Sequence, residues 1–138
     1  MPFETTTQVR FAHIDAAGIV FYPRYFEMLN AAVEDWCAQA LGQDFRTLHL
    51  HHRIGVPTVK LDVEFVSPSE LGDVLTISIS PREVGRSSCH LHVVFSGDDR
   101  VRLQANVVLV CMDLQTRRAT PWPQDMRSSI LEGIVHAV

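Results

Sequence analysis

Lysine is almost missing from this chain. Of its twelve basic residues eleven are arginine and only Lys60 is lysine, a bias read as genomic composition rather than function. Cysteine is scarce too. Cys37, Cys89 and Cys111 are odd in number, far apart and without metal-ligand spacing, which excludes a disulfide framework. Each falls on an apolar face, so they read as small buried hydrophobes of a reducing, cytoplasmic protein. No apolar run approaches the ~20 residues that cross a bilayer, which argues against a membrane partner. The opening MPFETTTQ has neither a basic nor an apolar region, so it is not a signal peptide. Gly-x-Ser-x-Gly, Walker and dinucleotide glycine motifs are all missing, leaving a serine hydrolase, a nucleotidase or a dehydrogenase unsupported. A net charge of −4 argues against nucleic acid as the main partner.

What is present is 138 residues with 46% hydrophobic content, enough for one domain spanning 1–138 and too little for two. Residues 11–41 organise it. From Pro23 onward Tyr25, Phe26, Leu29, Ala32, Val33, Trp36, Cys37, Ala40 and Leu41 recur at helical spacing. Pro23 suits a first helical turn and Gly42 a left-handed stop, giving a rod of roughly 27 Å. Ahead of it, Asp15-Ala-Ala-Gly puts a carboxylate on a tight turn near the unpaired N–H groups of a helix start.

Strands account for most of the rest. Phe3, Thr5, Thr7, Val9 and Phe11 alternate with polar neighbours, as in a half-buried strand. Residues 43–56 are rich in His and Arg without a period and read as a loop. Alternation returns at Val59, Leu61, Val63 and Phe65, then at Leu75, Ile77 and Ile79. It continues at Cys89, Leu91, Val93 and Phe95, and from Val101 to Cys111 with Arg102, Gln104 and Asn106 on the other face. Gly97-Asp98-Asp99-Arg100 is a hairpin turn, Pro121-Trp122-Pro123 punctuates, and Met126, Ile130 and Ile134 mark a short terminal helix. The pattern predicts an α+β fold of about five antiparallel strands, four consecutive and joined by short turns. The sheet's apolar face curls around one long helix.

Four places offer chemistry. Asp15 is either an Asx-turn residue bonding local backbone or a base or nucleophile beside helix-terminal donors. Gly85-Arg86-Ser87-Ser88 is either a solvated hairpin tip or a phosphate seat built from backbone, guanidinium and hydroxyls. His90 and His92 share a strand face, and His49, His51 and His52 cluster in the aperiodic segment. The strand pair has no third ligand at recognisable spacing and the cluster reads as solvated, so no metal is expected.

The order strand, Asp-turn, long helix, four strands resembles the hot-dog fold. Asp15-Ala-Ala-Gly-Ile-Val-Phe-Tyr-Pro-Arg-Tyr-Phe26 is similar to the signature D-x-A-G-[IV]-V-x-[YF]-P-x-Y of the 4-hydroxybenzoyl-CoA thioesterase family. Glu64-Phe-Val-Ser-Pro-Ser-Glu-Leu-Gly-Asp73, Val84-Gly-Arg-Ser-Ser88 and Val108-Leu-Val-Cys-Met-Asp113 agree with it, so the resemblance covers almost the whole chain. It implies a hydrolase splitting an aromatic or medium-sized acyl-CoA into acid and CoA, with no cofactor because CoA is part of the substrate. Asp15 would be the catalytic carboxylate, as nucleophile or as base on water. The N–H near Tyr22, beside Pro23, would polarise the thioester carbonyl. Gly85, Arg86 and Ser87 would lie near the CoA phosphates. The family's dimers or tetramers share each site between two chains, so a homo-oligomer is implied. Pro23 follows the aryl-CoA type, whereas Asn30 stands where enzymes specific for the 4-hydroxy ring carry an Asp. The rival reading is a non-catalytic module that binds acyl-CoA or scaffolds a complex.

Overall fold

The computed structural model describes residues 2–136. Its centre is α1 (Pro23–Gln39), with Pro23 in the first turn where its missing N–H leaves no bond unmade. The other end closes as expected: Gly42 takes φ +75° and the Gln43 N–H reaches back 2.9 Å to the Cys37 carbonyl. Tyr25, Met28, Leu29, Ala32, Val33, Trp36 and Cys37 form the buried stripe. Met28 joins it while Ala40, expected on it, is exposed, because the helix ends at Gln39 and Ala40 is its C-cap.

The sheet has five strands in the order β1 (Phe3–Gln8), β4 (Val74–Val84), β5 (Ser88–Gly97), β6 (Arg100–Val110), β3 (Thr58–Phe65), every pair antiparallel. One face carries Leu75, Ile77, Ile79, Leu91, Val93, Phe95, Leu103, Ala105, Val107 and Leu109, all buried with the α1 stripe in a single core. Burying one such aliphatic side chain contributes about 1.5–3 kcal/mol, so this face dominates stability. Helix α2 (Gln124–His136) closes the far end of α1: Met126 and Ile130 are fully buried, and Pro81 of β4 packs close against Gly133, where a side-chain carbon would lie 3.0 Å from the proline ring. The result is the hot-dog arrangement, a sheet whose apolar face holds one long helix.

Several details depart from the alternation. β3 is not the neighbour of β4. The chain crosses from one sheet edge through residues 66–73 before β4 enters between β1 and β5. As an edge strand β3 leaves Val59 and Phe65 exposed and only Leu61 and Val63 half-buried. Strand β1 stops at Gln8. The Arg10 N–H donates to His13 Nδ1 at 2.8 Å, which curls 11–13 into a 3₁₀ turn and leaves Phe11 exposed. Residues 43–56 are not all loop. Asp44 Oδ1 accepts from the Thr47 N–H at 2.7 Å and starts a wide helical turn, Thr47–His51, that buries Leu48. The chain then pairs β2 (Ile54–Gly55) with β7 (Met112–Asp113). The hairpin at 97–100 forms as expected, with Asp98 and Asp99 at φ +50° and +60°, the primed geometry that suits strand twist. Next to it the register slips between Phe95 and Ser96. Arg102 is the extra residue, and its side chain turns inward instead of out.

Candidate active site

Asp15 opens a small hairpin laid against the start of α1. The His13 carbonyl accepts from Phe21, Ile14 bridges Val20, and the Asp15 N–H donates to Ile19 at 3.0 Å. Gly18, at φ +81°, makes the reversal possible. Within it Asp15 Oδ1 accepts the Ala17 N–H at 2.8 Å. That is the Asx-turn bond of the plainer reading. It also fixes the carboxylate while Oδ2 takes no hydrogen bond among the described residues, and the side chain is exposed.

The hairpin's other arm runs into the helix. Tyr22 is the cap residue without a side-chain cap bond, and the Arg24 and Tyr25 N–H groups are already used by Phe21 and Tyr22 carbonyls. Pro23 has no N–H. The Tyr22 N–H therefore has no partner among the described residues, at the positive end of a 17-residue helix dipole. A carboxylate with a free oxygen and an unpaired helix-terminal donor lie on the two arms of one hairpin.

The support beneath this hairpin is the crossover segment. The Val20 N–H donates to the Ser69 carbonyl at 2.9 Å, Ile19 bridges Glu70, and buried Ser69 takes the Tyr25 hydroxyl at 3.0 Å. Arg102 pins the same segment from inside: Nη1 donates to Asp73 Oδ2 at 2.8 Å and to the Pro68 carbonyl at 3.2 Å, while Nη2 and Nε reach the Gly97 carbonyl. The guanidinium beside Asp73, then the Glu70 N–H, hold that carboxyl below the usual carboxylate range.

Around the helix start the surface is apolar. Tyr22, 58% exposed, makes edge contacts with Phe21, Phe26 and Phe65, and Phe65 also meets Tyr25. Ile19, Tyr22, Tyr25, Phe65, Val66 and Pro68 line a hollow of about 280 Å³. A larger groove of about 780 Å³ follows the outer side of α1 past Glu27, Asn30 and Glu34, opposite Phe45, His49, Val56 and Met112. Asn30, off the helix's buried stripe, faces this groove. So does His49, read from sequence as part of a solvated cluster. Its Nδ1 donates to the Phe45 carbonyl at 2.8 Å, a pairing no periodicity could reveal.

Gly85, Arg86 and Ser87 lie elsewhere. β4 starts beside the Asp15 hairpin, through the bond from Val9 N–H to the Asp73 carbonyl, and the turn follows the strand's other end. Eleven residues of strand separate them by roughly 35 Å. One protomer does not bring Asp15 and Arg86 together. The turn is tied to the C-terminal segment: the Cys111 N–H donates to the Ser87 carbonyl at 2.7 Å, Trp122 N–H to Arg86 at 3.0 Å, Trp122 Nε1 to Ser88 at 3.0 Å, and Arg127 Nε to Gly85 at 3.4 Å. Sequence reading took Trp122 only as punctuation between two prolines, and nothing in its spacing shows where it docks.

His90 and His92 stand on the outer sheet face, where His92 Nδ1 lies 3.2 Å from Asn106 Oδ1. No group of three or more His, Cys, Asp or Glu is arranged to hold a metal among the described residues. The three thiols are free and buried. Burial pushes Cys37 and Cys89 up to about 12 and Cys111 up to about 11. Among the described residues no helix is long and apolar enough to cross a membrane.

Known proteins share this architecture. A 1,4-dihydroxy-2-naphthoyl-CoA hydrolase of Thermosynechococcus vestitus is 32% identical over 120 residues, 86% of this chain and 81% of the relative. A gentisyl-coenzyme A thioesterase superposes with a TM-score of 0.83 at 29% identity, covering 91% of this chain and 99% of that one. A mutant 4-hydroxybenzoyl-CoA thioesterase, solved with 4-hydroxybenzoyl-CoA, superposes at 0.85 with 24% identity over 93% of this chain and 97% of its own, a likeness of fold. The family model for the thioesterase-like superfamily matches residues 9–130, from the end of β1 into α2, and the chain belongs to that superfamily.

Proposed function

We propose that this protein, an acyl-CoA thioesterase, hydrolyses an aromatic acyl-CoA of the 1,4-dihydroxy-2-naphthoyl type to the free acid and CoA. The observation that carries the mechanism is Asp15, one oxygen held by the Ala17 N–H and the other open, on the hairpin that leads to the unpaired Tyr22 N–H. The thioester carbonyl oxygen accepts from that N–H, where the helix dipole favours the charge that develops as the carbonyl is attacked. Asp15 then either attacks the carbonyl carbon, expelling CoA thiolate and leaving a mixed anhydride that water later opens, or takes the proton of an attacking water. Both routes end in the same acid and thiol.

The acyl group lies along α1, against Pro23 and toward Asn30, seven residues or about 10 Å from the helix start. The apolar groove walls and the hydroxynaphthoyl-CoA relative support an aromatic group there. The CoA phosphates belong at Gly85, Arg86 and Ser87. Because these lie a strand's length from Asp15, the reading favours a homo-oligomer in which the partner's turn completes the site. The exposed Phe21, Tyr22, Phe65 and Val66 surface and the open edge of β3 supply the area for such contact. Three free thiols suit a cytoplasmic setting.

The deciding measurement is release of free thiol from a panel of acyl-CoA substrates: 1,4-dihydroxy-2-naphthoyl, benzoyl, 4-hydroxybenzoyl and straight chains. Aromatic members should lead in kcat/KM. Preference for a straight chain would overturn the acyl assignment, and no thiol release from any member would leave only a binding module.

A further inference from the structure

We infer that Trp122 and Arg127 are positioning residues that preform the Gly85–Ser88 turn as a phosphate site. The argument starts from the peptide groups of the turn. All four of its carbonyl oxygens point into the protein and are taken: Gly85 by Arg127 Nε, Arg86 by the Trp122 N–H, Ser87 by the Cys111 N–H, and Ser88 by both the Gly85 N–H and Trp122 Nε1. A peptide plane whose carbonyl is turned inward has its N–H turned the other way. The Arg86 and Ser87 N–H groups accordingly have no partner among the described residues.

Two unpaired amides then sit beside the exposed Arg86 guanidinium. The Ser88 hydroxyl curls back over the turn, only 2.7 Å from where a side-chain carbon on Gly85 would lie. Arg127 adds a second guanidinium. Amides, hydroxyl and guanidinium groups, all donors, are the complement of a phosphate oxygen, and no carboxylate among the described residues bonds to the turn. Left to itself a Gly-Arg-Ser-Ser turn would sample many conformations, and binding would have to restrain it each time. Trp122 holds it on both sides of Ser87, through its backbone N–H on the Arg86 carbonyl and its ring N–H on the Ser88 carbonyl. Trp122 is buried and stays in place because the Pro-Trp-Pro segment leads straight into α2. The C-terminal segment thereby acts on substrate binding without touching the acyl group or Asp15.

This rests on the proposed function, since the phosphates in question are those of CoA. The test compares two thioesters of one aromatic acid, the CoA thioester and the N-acetylcysteamine thioester, which has no phosphate. The readout is the ratio of their kcat/KM values. Trp122→Phe keeps the buried ring but loses the Nε1 donor, and Arg127→Ala removes the second guanidinium. Each should lower the ratio about three- to tenfold, through KM for the CoA thioester, as expected for the loss of one hydrogen bond that orders the turn. Gly85→Ala, which displaces the Ser88 hydroxyl, should lower it as well. Thermal melting within a few degrees of wild type shows that each variant is folded. A ratio that Trp122→Phe and Arg127→Ala leave unchanged would overturn the inference, as would equal losses on both thioesters. A wild-type enzyme that hydrolyses both equally well would also overturn it, while leaving the thioesterase reading intact. Inactivity on every thioester would instead count against the proposed function.

Discussion

Arg102 Nη1 lies 2.8 Å from Asp73 Oδ2, with the guanidinium wholly buried and the carboxylate at the rim. The pair joins the first residue before β4 to the inner face of β6, and its remaining donors hold the Pro68 and Gly97 carbonyls. Removing the cation leaves the Pro68 and Gly97 carbonyls and the Asp73 carboxylate without their buried partner. Arg102→Met should cost about 3–5 kcal/mol in unfolding free energy, read by denaturant titration. Since the folded Asp73 carboxyl is held below its usual range, its contribution is present above the unfolded value of about 4. It is lost as pH falls through the folded value. Asp73→Asn should therefore narrow the stability difference between pH 6 and pH 3. A difference as large as in wild type would show that Asp73 is not the group responsible.

Asp15→Asn keeps the Ala17 contact through the amide oxygen and removes the charge. The rate on a reactive aromatic acyl-CoA should fall by about 10²–10⁴ with little change in Tm. Near-normal turnover would assign the chemistry to another group.

Asn30 faces the α1 groove, and the resemblance implies that enzymes specific for the 4-hydroxy ring carry an Asp at this position. A neutral amide accepts more weakly than a carboxylate, but it spares an unsubstituted ring from a desolvated charge. Benzoyl-CoA should match or exceed 4-hydroxybenzoyl-CoA in kcat/KM, and Asn30→Asp should tilt the ratio toward the hydroxylated ring by about tenfold. Strong wild-type preference for the hydroxylated substrate, indifferent to Asn30→Asp, would contradict the role given to Asn30.

Phe65 is 51% exposed on an edge strand, among the rings that surround the helix start. If a second copy covers it, Phe65→Arg should shift the protein to monomer in light scattering at micromolar concentration and abolish activity together. A wild-type monomer with full activity would rule out a shared site.

Burial holds the thiols protonated at neutral pH, since Cys37 and Cys89 are pushed up to about 12 and Cys111 to about 11. Ellman's reagent should find almost no reactive thiol in the native protein and three after denaturation. Rapid native labelling of even one would mean that its surroundings open readily.

The sequence by itself determined the parts whose causes are local. The helix from Pro23 follows from apolar spacing of three and four, a proline that only a first turn accepts, and a glycine able to take φ +75°. The Asp98-Asp99 hairpin and the inward faces of β4 and β5 follow from turn chemistry and strict alternation. The Asp15 turn, too, was legible with its motif. Alternation tells which face a residue takes but not which strand lies beside it, so only the tertiary structure decided that β3 crosses to the edge next to β6. A single slipped register turned Arg102 inward, because the extra residue changes the face of its neighbours whatever their polarity. The burial of Leu48 in the helical turn at 47–51 and the docking of Trp122 on the Gly85–Ser88 turn depend on contacts with residues far away in the chain. Local periodicity carries no trace of such partners, since the free energy that selects them is released only when distant segments meet.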